Sequence, residues 1–271
     1  HKYLEKNDLF SIAEIGLNHG GDFQKAKKMI VSAASAGVSA VKFQTYNPAD
    51  RTPKNRPDLK KIFSNCKLSE NEHIKLKTIA KDLGLIFFST VFDTESLIFL
   101  EKINIPLYKI ASFDISNIPL LNNVSSKNKP TIISTGMASL EEIMKAKSIF
   151  DNNNCEVAFL HCVSSYPTLE NESYLSNINT LKDLNINMLG ISDHTKNIKV
   201  PLIAVAMGVR IIEKHLMLNN DIDCIDAPVS IEPLKFKEMI KSALDIIKIQ
   251  GKPLFGIKKN EEQSVIFKRV F

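Results

Sequence analysis

The chain has 271 residues, 44% hydrophobic and 24% charged, which suits one large single-core domain or two smaller ones. Its net charge of +5 is carried by lysines mixed with acids, with only short runs such as Lys60-Lys61 and Lys258-Lys259 and no Trp. A nucleic-acid groove needs clustered Arg with interleaved aromatics, so no nucleic-acid partner is expected; the basic balance favours an anionic small molecule. No apolar run approaches the ~18 residues of a membrane span, and the N-terminal stretch lacks the apolar core of a signal peptide. A soluble, cytoplasmic protein with no membrane partner is the expectation. The four cysteines, Cys66, Cys155, Cys162 and Cys224, form no CxxC pair and are expected as reduced thiols.

One pattern then recurs along the chain. A short β-branched or apolar run ends in polar residues, and an amphipathic helical stretch follows. The predicted strands are Ile12–Leu17, Ala40–Gln44, Leu85–Thr90, Leu107–Ser112, Thr131–Thr135, Val157–Cys162, Met188–Ser192 and Val209–His215. Helical stretches such as Asp22–Ala36 and Leu140–Phe150 lie between them, and Leu234–Ile249 follows the eighth strand. Asn47–Leu68, rich in Pro, Asp, Lys and Arg, has no clear apolar period and is expected as a long loop, either a lid or a tolerated insertion. Alternating strands and helices require parallel pairing with right-handed crossovers, and eight units at this length predict a closed (β/α)8 TIM barrel of the α/β class. A single catalytic domain is expected over residues 1–271, with 250–271 as a C-terminal extension or linker. Gly16-Leu17-Asn18-His19-Gly20-Gly21 does not fit GxGxxG, which argues against a dinucleotide-binding sheet.

In such a barrel, inward-facing groups at the C-terminal strand ends share one mouth. The ends here offer Glu14 and Asn18, Lys42 and Gln44, Ser89 and Thr90, Lys109 and Ser112, and Ser134 and Thr135. The last three give His161, Ser164 and Tyr166, Ser192 and His194, and Glu213 and His215. Alternation puts Lys42 with Gln44, Ser192 with His194 and Glu213 with His215. Two lysines with several hydroxyls make an oxyanion site, and a lysine buried within Val41-Lys42-Phe43-Gln44 asks for an anionic partner. His194 and His215 end neighbouring strands and are the candidate metal ligands. Two imidazoles without thiolates suit Mn²⁺ first, with Mg²⁺, Co²⁺ or Zn²⁺ as alternatives. Asp193 is a candidate support for His194, and Asp226 a candidate to reach substrate.

Several runs, taken in order, resemble the sialic acid synthase family, from about Ser11 to about Pro233. They are Ile12-Ala13-Glu14-Ile15-Gly16 with Asn18-His19, Val41-Lys42-Phe43-Gln44-Thr45, Tyr108-Lys109-Ile110-Ala111-Ser112 and Ser134-Thr135-Gly136-Met137. His161-Cys162 with Tyr166-Pro167-Thr168, Ser192-Asp193-His194-Thr195 and Glu213-Lys214-His215 complete the set. The resemblance implies a transferase that condenses phosphoenolpyruvate with an N-acylamino sugar at a divalent metal, giving a nine-carbon 2-keto acid and phosphate. It implies phosphoenolpyruvate contacts at Lys42, Thr90, Lys109, Ser112, Ser134, Ser164 and Ser192, and metal ligands at His194 and His215. Gln44 and Tyr166 would face the acceptor sugar, Glu14 and Asp226 would carry polar or acid–base roles there, and a homodimer is expected.

Three departures accompany it. Where the family often reads Gly-Pro-Asp-His, this chain has Cys224-Ile225-Asp226-Ala227, and Tyr174-Leu175 stands where an Asn-Leu is frequent. The chain also stops at Lys268-Arg269-Val270-Phe271, about where a linker to the family's C-terminal antifreeze-like domain would begin, so weak acceptor binding by the barrel alone is expected. Two alternatives stay open: a synthase of a shorter keto acid, which would want arginines for a second phosphate, and a degenerate barrel serving as a binding or assembly subunit.

Overall fold

A computed structural model describes residues 9–186 and 188–269. Its strands are β1 (Phe10–Glu14), β2 (Ala40–Thr45), β3 (Ile86–Val91), β4 (Tyr108–Ile110), β5 (Thr131–Ser134), β6 (Val157–Cys162), β7 (Leu189–Asp193) and β8 (Ile211–Leu216), with a two-residue β9 (Ser230–Ile231). All pair in parallel in sequence order, and β1 also pairs with β8, which closes the barrel. The predicted fold stands. β9 is an added edge beside β8, with Ser230 opposite His215.

The helices are α1 (Phe23–Ala36), α2 (Pro48–Arg51), α3 (Pro57–Cys66), α4 (Glu70–Asp82), α5 (Thr94–Lys102), α6 (Ile118–Ser125), α7 (Leu140–Asn152), α8 (Asn177–Asp183), α9 (Lys199–Ala206) and α10 (Pro233–Gln250). Local chemistry sets their starts. Asp22 accepts from the Gln24 and Lys25 amides to cap α1, and Ser69-Glu72 and Ser139-Glu142 form capping boxes on α4 and α7. Met29, Ile30 and Ala33 of α1, and Phe236, Met239 and Ala243 of α10, bury into the layer between helices and sheet.

Several boundaries differ from the expectation, β4 among them, which ends at Ile110 rather than Ser112. β1 ends at Glu14, because the chain turns at Gly16, whose φ of 53° a side chain rarely adopts. Asn47–Leu68 is not a structureless loop: it folds into α2 and α3, each with a proline in its first turn. Residues 251–269 stay largely exposed, with one 3₁₀ stretch at Lys259–Phe267.

Inside the barrel the period-two alternation separates two layers. Phe10 and Ile12 of β1, Ala40 of β2, Phe88 of β3, Ile132 of β5 and Ile211 of β8 form an apolar plug. Two residues further along the same faces stand Glu14, Lys42, Thr90, Ser134 and Glu213, which line the mouth. The plug therefore closes the barrel floor and forces the polar groups into one dry-walled cavity. No helix among the described residues is long and apolar enough to cross a membrane.

Candidate active site

The mouth holds a cavity of about 360 Å³. Of the predicted site residues, Glu14, Lys42, Gln44, Thr90, Lys109, Ser112, Ser134, Tyr166, Ser192, His194, His215 and Asp226 all line it. Ser164 does not: it lines a neighbouring cavity with Met137, Tyr174 and Thr180, and its buried Oγ has no hydrogen-bond partner. Cys162 lines both cavities, and a Cβ at Gly136 would lie 2.3 Å from Ser164 Oγ and 2.9 Å from Ser112 Oγ. Ser112 Oγ accepts from the Gly136 amide at 3.0 Å, so the absent side chain is what lets these hydroxyls approach the turn after β5.

The two lysines have different surroundings. Lys42 Nζ pairs with Glu14 Oε2 at 2.8 Å and lies 3.6 Å from Glu213 Oε2, with a further hydrogen bond to Thr90 Oγ1 at 3.1 Å. Burial alone would lower its pKa, yet the Glu14 and Glu213 carboxylates outweigh that and raise it above the ordinary lysine value. The anion that a buried Lys42 demands is thus supplied by the protein itself. Lys109 is equally buried, but its Nζ donates to Ser134 Oγ at 2.6 Å and to the Ile110 carbonyl at 2.8 Å, and it forms no ion pair among the described residues. Burial, with help from nearby Lys42 and against the pull of Glu213, lowers its pKa to about 8. Lys109 is the cation with charge to spare.

On the opposite wall, strand alternation turns Ser192 and His194, Glu213 and His215 inward. Ser192 Oγ donates to Glu213 Oε1 at 2.8 Å. Asp193 and Lys214 point out of the mouth and pair with each other at 2.6 Å in full burial, so Asp193 pins β7 to β8 and does not contact the imidazole of His194. The imidazole rings of His194 and His215 lie 5.6 Å apart, and Tyr166 packs on His194 at 4.2 Å. His194 Nδ1 is 2.8 Å from the Val163 carbonyl, which can only accept, so Nδ1 carries the proton and Nε2 keeps its lone pair. His215 Nδ1 lies 3.4 Å from Asp226 Oδ2. Burial works against charge on both, but their mutual attraction prevails, raising the His215 pKa and lowering that of Asp226. Asp226 also accepts from the Leu17 amide at 2.8 Å, which ties the loop after β8 to the turn after β1.

The donors available to a metal would be the imidazole nitrogens of His194 and His215, and His215 would have to release the proton that its Asp226 partner favours. No group of three or more His, Cys, Asp or Glu placed to hold an ion occurs among the described residues. Two nitrogen donors fit a labile ion whose remaining positions are water or substrate oxygens, not a closed structural site.

The remaining strand-end candidates are structural. Asn18 Nδ2 donates to the Leu216 carbonyl and to Ser230 Oγ, Ser89 bonds Thr45, Thr135 bonds the Leu160 carbonyl, and His161 Nε2 contacts the Ser173 carbonyl. All four cysteines are free and buried. Cys162 lines the cavity beside His194; burial opposes ionisation of its thiol, but hydrogen bonding to His194 and to Ser112, with Lys109 nearby, outweighs it and lowers the thiol pKa.

Sequence reasoning missed Arg51. It ends α2, reaches the cavity, and is held among the rings of Tyr46, Phe63 and Phe92 at 4.2–4.4 Å. The available signal was the spacing of Leu59, Ile62, Phe63 and Cys66, a short helical period within the segment, with Tyr46 just before it.

The same architecture occurs in known proteins. The family model described as NeuB family matches residues 29–254. The chain belongs to the NeuB family. Among solved NeuB relatives, an N-acetylneuraminic acid synthetase from Leptospira borgpetersenii in complex with citrate superposes with a TM-score of 0.93 at 38% identity, covering 96% of this chain and 91% of that one. An N,N'-diacetyllegionaminic acid synthase from Legionella pneumophila is 36% identical over 89% of this chain and 73% of its own length. A pseudaminic acid synthase from Campylobacter jejuni is 33% identical over 97% of this chain and 80% of its own.

Proposed function

We propose that this NeuB-family chain condenses phosphoenolpyruvate with the open-chain form of an N-acylamino sugar, giving a nine-carbon 2-keto acid of the sialic acid type and phosphate. The observation that carries the reading is Lys109. It is a buried ammonium with hydroxyl neighbours and no ion pair among the described residues, at the floor of a cavity whose far wall holds two imidazoles. Such a group asks for a ligand that brings its own negative charge, and a phosphate ester with an adjacent carboxylate does so.

Lys109, with the hydroxyls of Thr90, Ser112, Ser134 and Ser192, holds the phosphate and carboxylate, and Ser164, whose unpartnered Oγ approaches Ser112 Oγ beside Gly136, is a further donor. This grip fixes which face of the enol meets the sugar aldehyde, an orientation effect. C3 of the enol forms the new bond to the aldehyde carbon, whose oxygen takes up a proton. Water then adds at C2 and loses a proton, and the C–O bond to phosphate breaks, leaving the ketone and releasing the hydroxyl proton. Glu14, on β1 beside Gln44 and Lys42, is the carboxylate placed to accept the proton of that water. Asp226 and Tyr166 bound the sugar side of the cavity. His194 and His215 would hold the divalent ion, Mn²⁺ being the best match to the donor set; when bound it supplies Lewis acidity towards the sugar's carbonyl oxygen.

The test is phosphate release and product mass on incubation with phosphoenolpyruvate, Mn²⁺ and a panel of 2-acetamido and 2,4-diacetamido hexoses. A product equal in mass to sugar plus pyruvate is the expected result. Absence of both phosphate and adduct with every sugar would overturn the proposal.

A further inference from the structure

We infer that Arg51 selects the second substrate, donating its guanidinium hydrogen bonds to the acylamido carbonyl oxygen of a neutral sugar. This rests on the reaction proposed above and names a residue for its acceptor side.

Three observations carry it. First, Arg51 stands in the active-site cavity, brought there by α2, a helix in the segment between β2 and α4. Second, the guanidinium is fixed. Its carbon lies 4.4 Å from the Tyr46 ring centre and 4.2 Å from those of Phe63 and Phe92, and Tyr46 is itself tied by its hydroxyl to the Phe63 carbonyl at 3.0 Å. Ring faces satisfy the charge but offer no acceptor to the N–H groups, which point outward in the guanidinium plane. Third, Nη1 is buried without a hydrogen-bond partner. A pre-oriented, desolvated donor in a substrate cavity is the arrangement that recognises a carbonyl oxygen.

The charge around it decides which oxygen. Glu14 and Asp226 both act on the guanidinium, opposing the lowering of its pKa by burial. A dianionic sugar phosphate placed here would face those two carboxylates, whereas a neutral carbonyl would not. Arg51 is therefore not the second-phosphate arginine that a shorter keto acid synthase would want.

A purely structural role, pinning α2 to α3 through the three rings, makes a different forecast, and the measurements separate the two. Binding of a 2-acetamido hexose, its parent hexose lacking the acylamido group, and its 6-phosphate is measured by calorimetry on the wild type, Arg51→Met and Arg51→Lys, alongside phosphoenolpyruvate. Arg51→Met should weaken the acetamido sugar about ten- to a hundredfold, the worth of one charge-assisted hydrogen bond. It should leave the parent hexose and phosphoenolpyruvate unchanged, and Arg51→Lys, which keeps charge but not the planar fork, should fall between. Equal losses for acetamido and parent sugars, a loss for phosphoenolpyruvate of the same size, or a wild-type preference for the 6-phosphate would each overturn the assignment. These are equilibrium readings, so failed turnover in the wild type would sink the reaction proposed above while leaving the role of Arg51 decided by binding.

Discussion

At the scale of single residues, the two lysines predict opposite phenotypes. Lys109→Met removes a cation with no ion pair among the described residues, so the fold should hold while phosphoenolpyruvate affinity collapses. Lys42→Met leaves Glu14 and Glu213 buried without their cation, a loss on the order of 3–5 kcal/mol of stability that urea denaturation would register. Unaltered phosphoenolpyruvate binding in folded Lys109→Met would remove the phosphate-site reading. Titration gives a second check. The free Lys109 ammonium loses its proton as pH rises through about 8, whereas an ammonium against a bound anion keeps it. Binding then takes up a proton, so the dissociation constant should be flat up to about pH 8 and rise by up to about tenfold per unit beyond it. Lys42, held above the ordinary lysine value by its two carboxylates, adds no step in that window. For the imidazoles, His194→Gln and His215→Gln should each lower bound metal, measured by elemental analysis after dialysis, together with phosphate release. Full metal content in either would withdraw that residue as a ligand.

At the scale of elements, turns set the site as much as strands do. Gly16, at a φ of 53°, lets the chain leave β1 so that the Leu17 amide meets Asp226. A Cβ there would lie 2.4 Å from Asp226 Oδ2 and 3.1 Å from the His215 ring. Gly16→Ala should therefore cost about 1–3 kcal/mol through backbone strain, and more as Asp226 is displaced, with phosphate release falling alongside the melting temperature. A variant as stable and as active as the wild type would show that this turn relaxes freely. The segment between β2 and α4 makes the complementary point. Polar and proline-rich, it carries an apolar stripe only in α3, at Leu59, Ile62, Phe63 and Cys66, and Tyr46, Phe63 and Phe92 close around Arg51. Its short helices follow from proline at the first turn, from the brief apolar period of α3, and from tertiary contact.

At the scale of the whole molecule, the barrel divides stability from function along one axis. The apolar plug of Phe10, Ile12, Phe88 and Ile132 holds the strands together beneath a cavity that gathers three basic and three acidic side chains. Such a cavity is destabilised by its own desolvated charges until a ligand answers them. Phosphoenolpyruvate at about a hundred times its dissociation constant should stabilise the fold by about 2.7 kcal/mol, a rise of about 5–10 °C for a domain of this size. The rise should vanish in Lys109→Met. A wild-type melting temperature indifferent to phosphoenolpyruvate would mean that the cavity does not bind it.

The sequence by itself determined the barrel and most of its mouth. Eight strand–helix units dictate parallel closure, and the period-two alternation places Lys42 with Gln44, Ser192 with His194, and Glu213 with His215 whatever the details of packing. What it could not determine was who partners whom across the barrel, since ion pairs depend on interstrand register and on distances of a few ångströms. Only the tertiary structure set Glu14 against Lys42, left Lys109 without an ion pair among the described residues and paired the outward Asp193 with Lys214. It also placed Ser164 on the neighbouring cavity beside Gly136 and carried Arg51 into the active-site cavity. Local periodicity encodes which face a side chain takes; the chain must close on itself before a charge finds, or lacks, its partner.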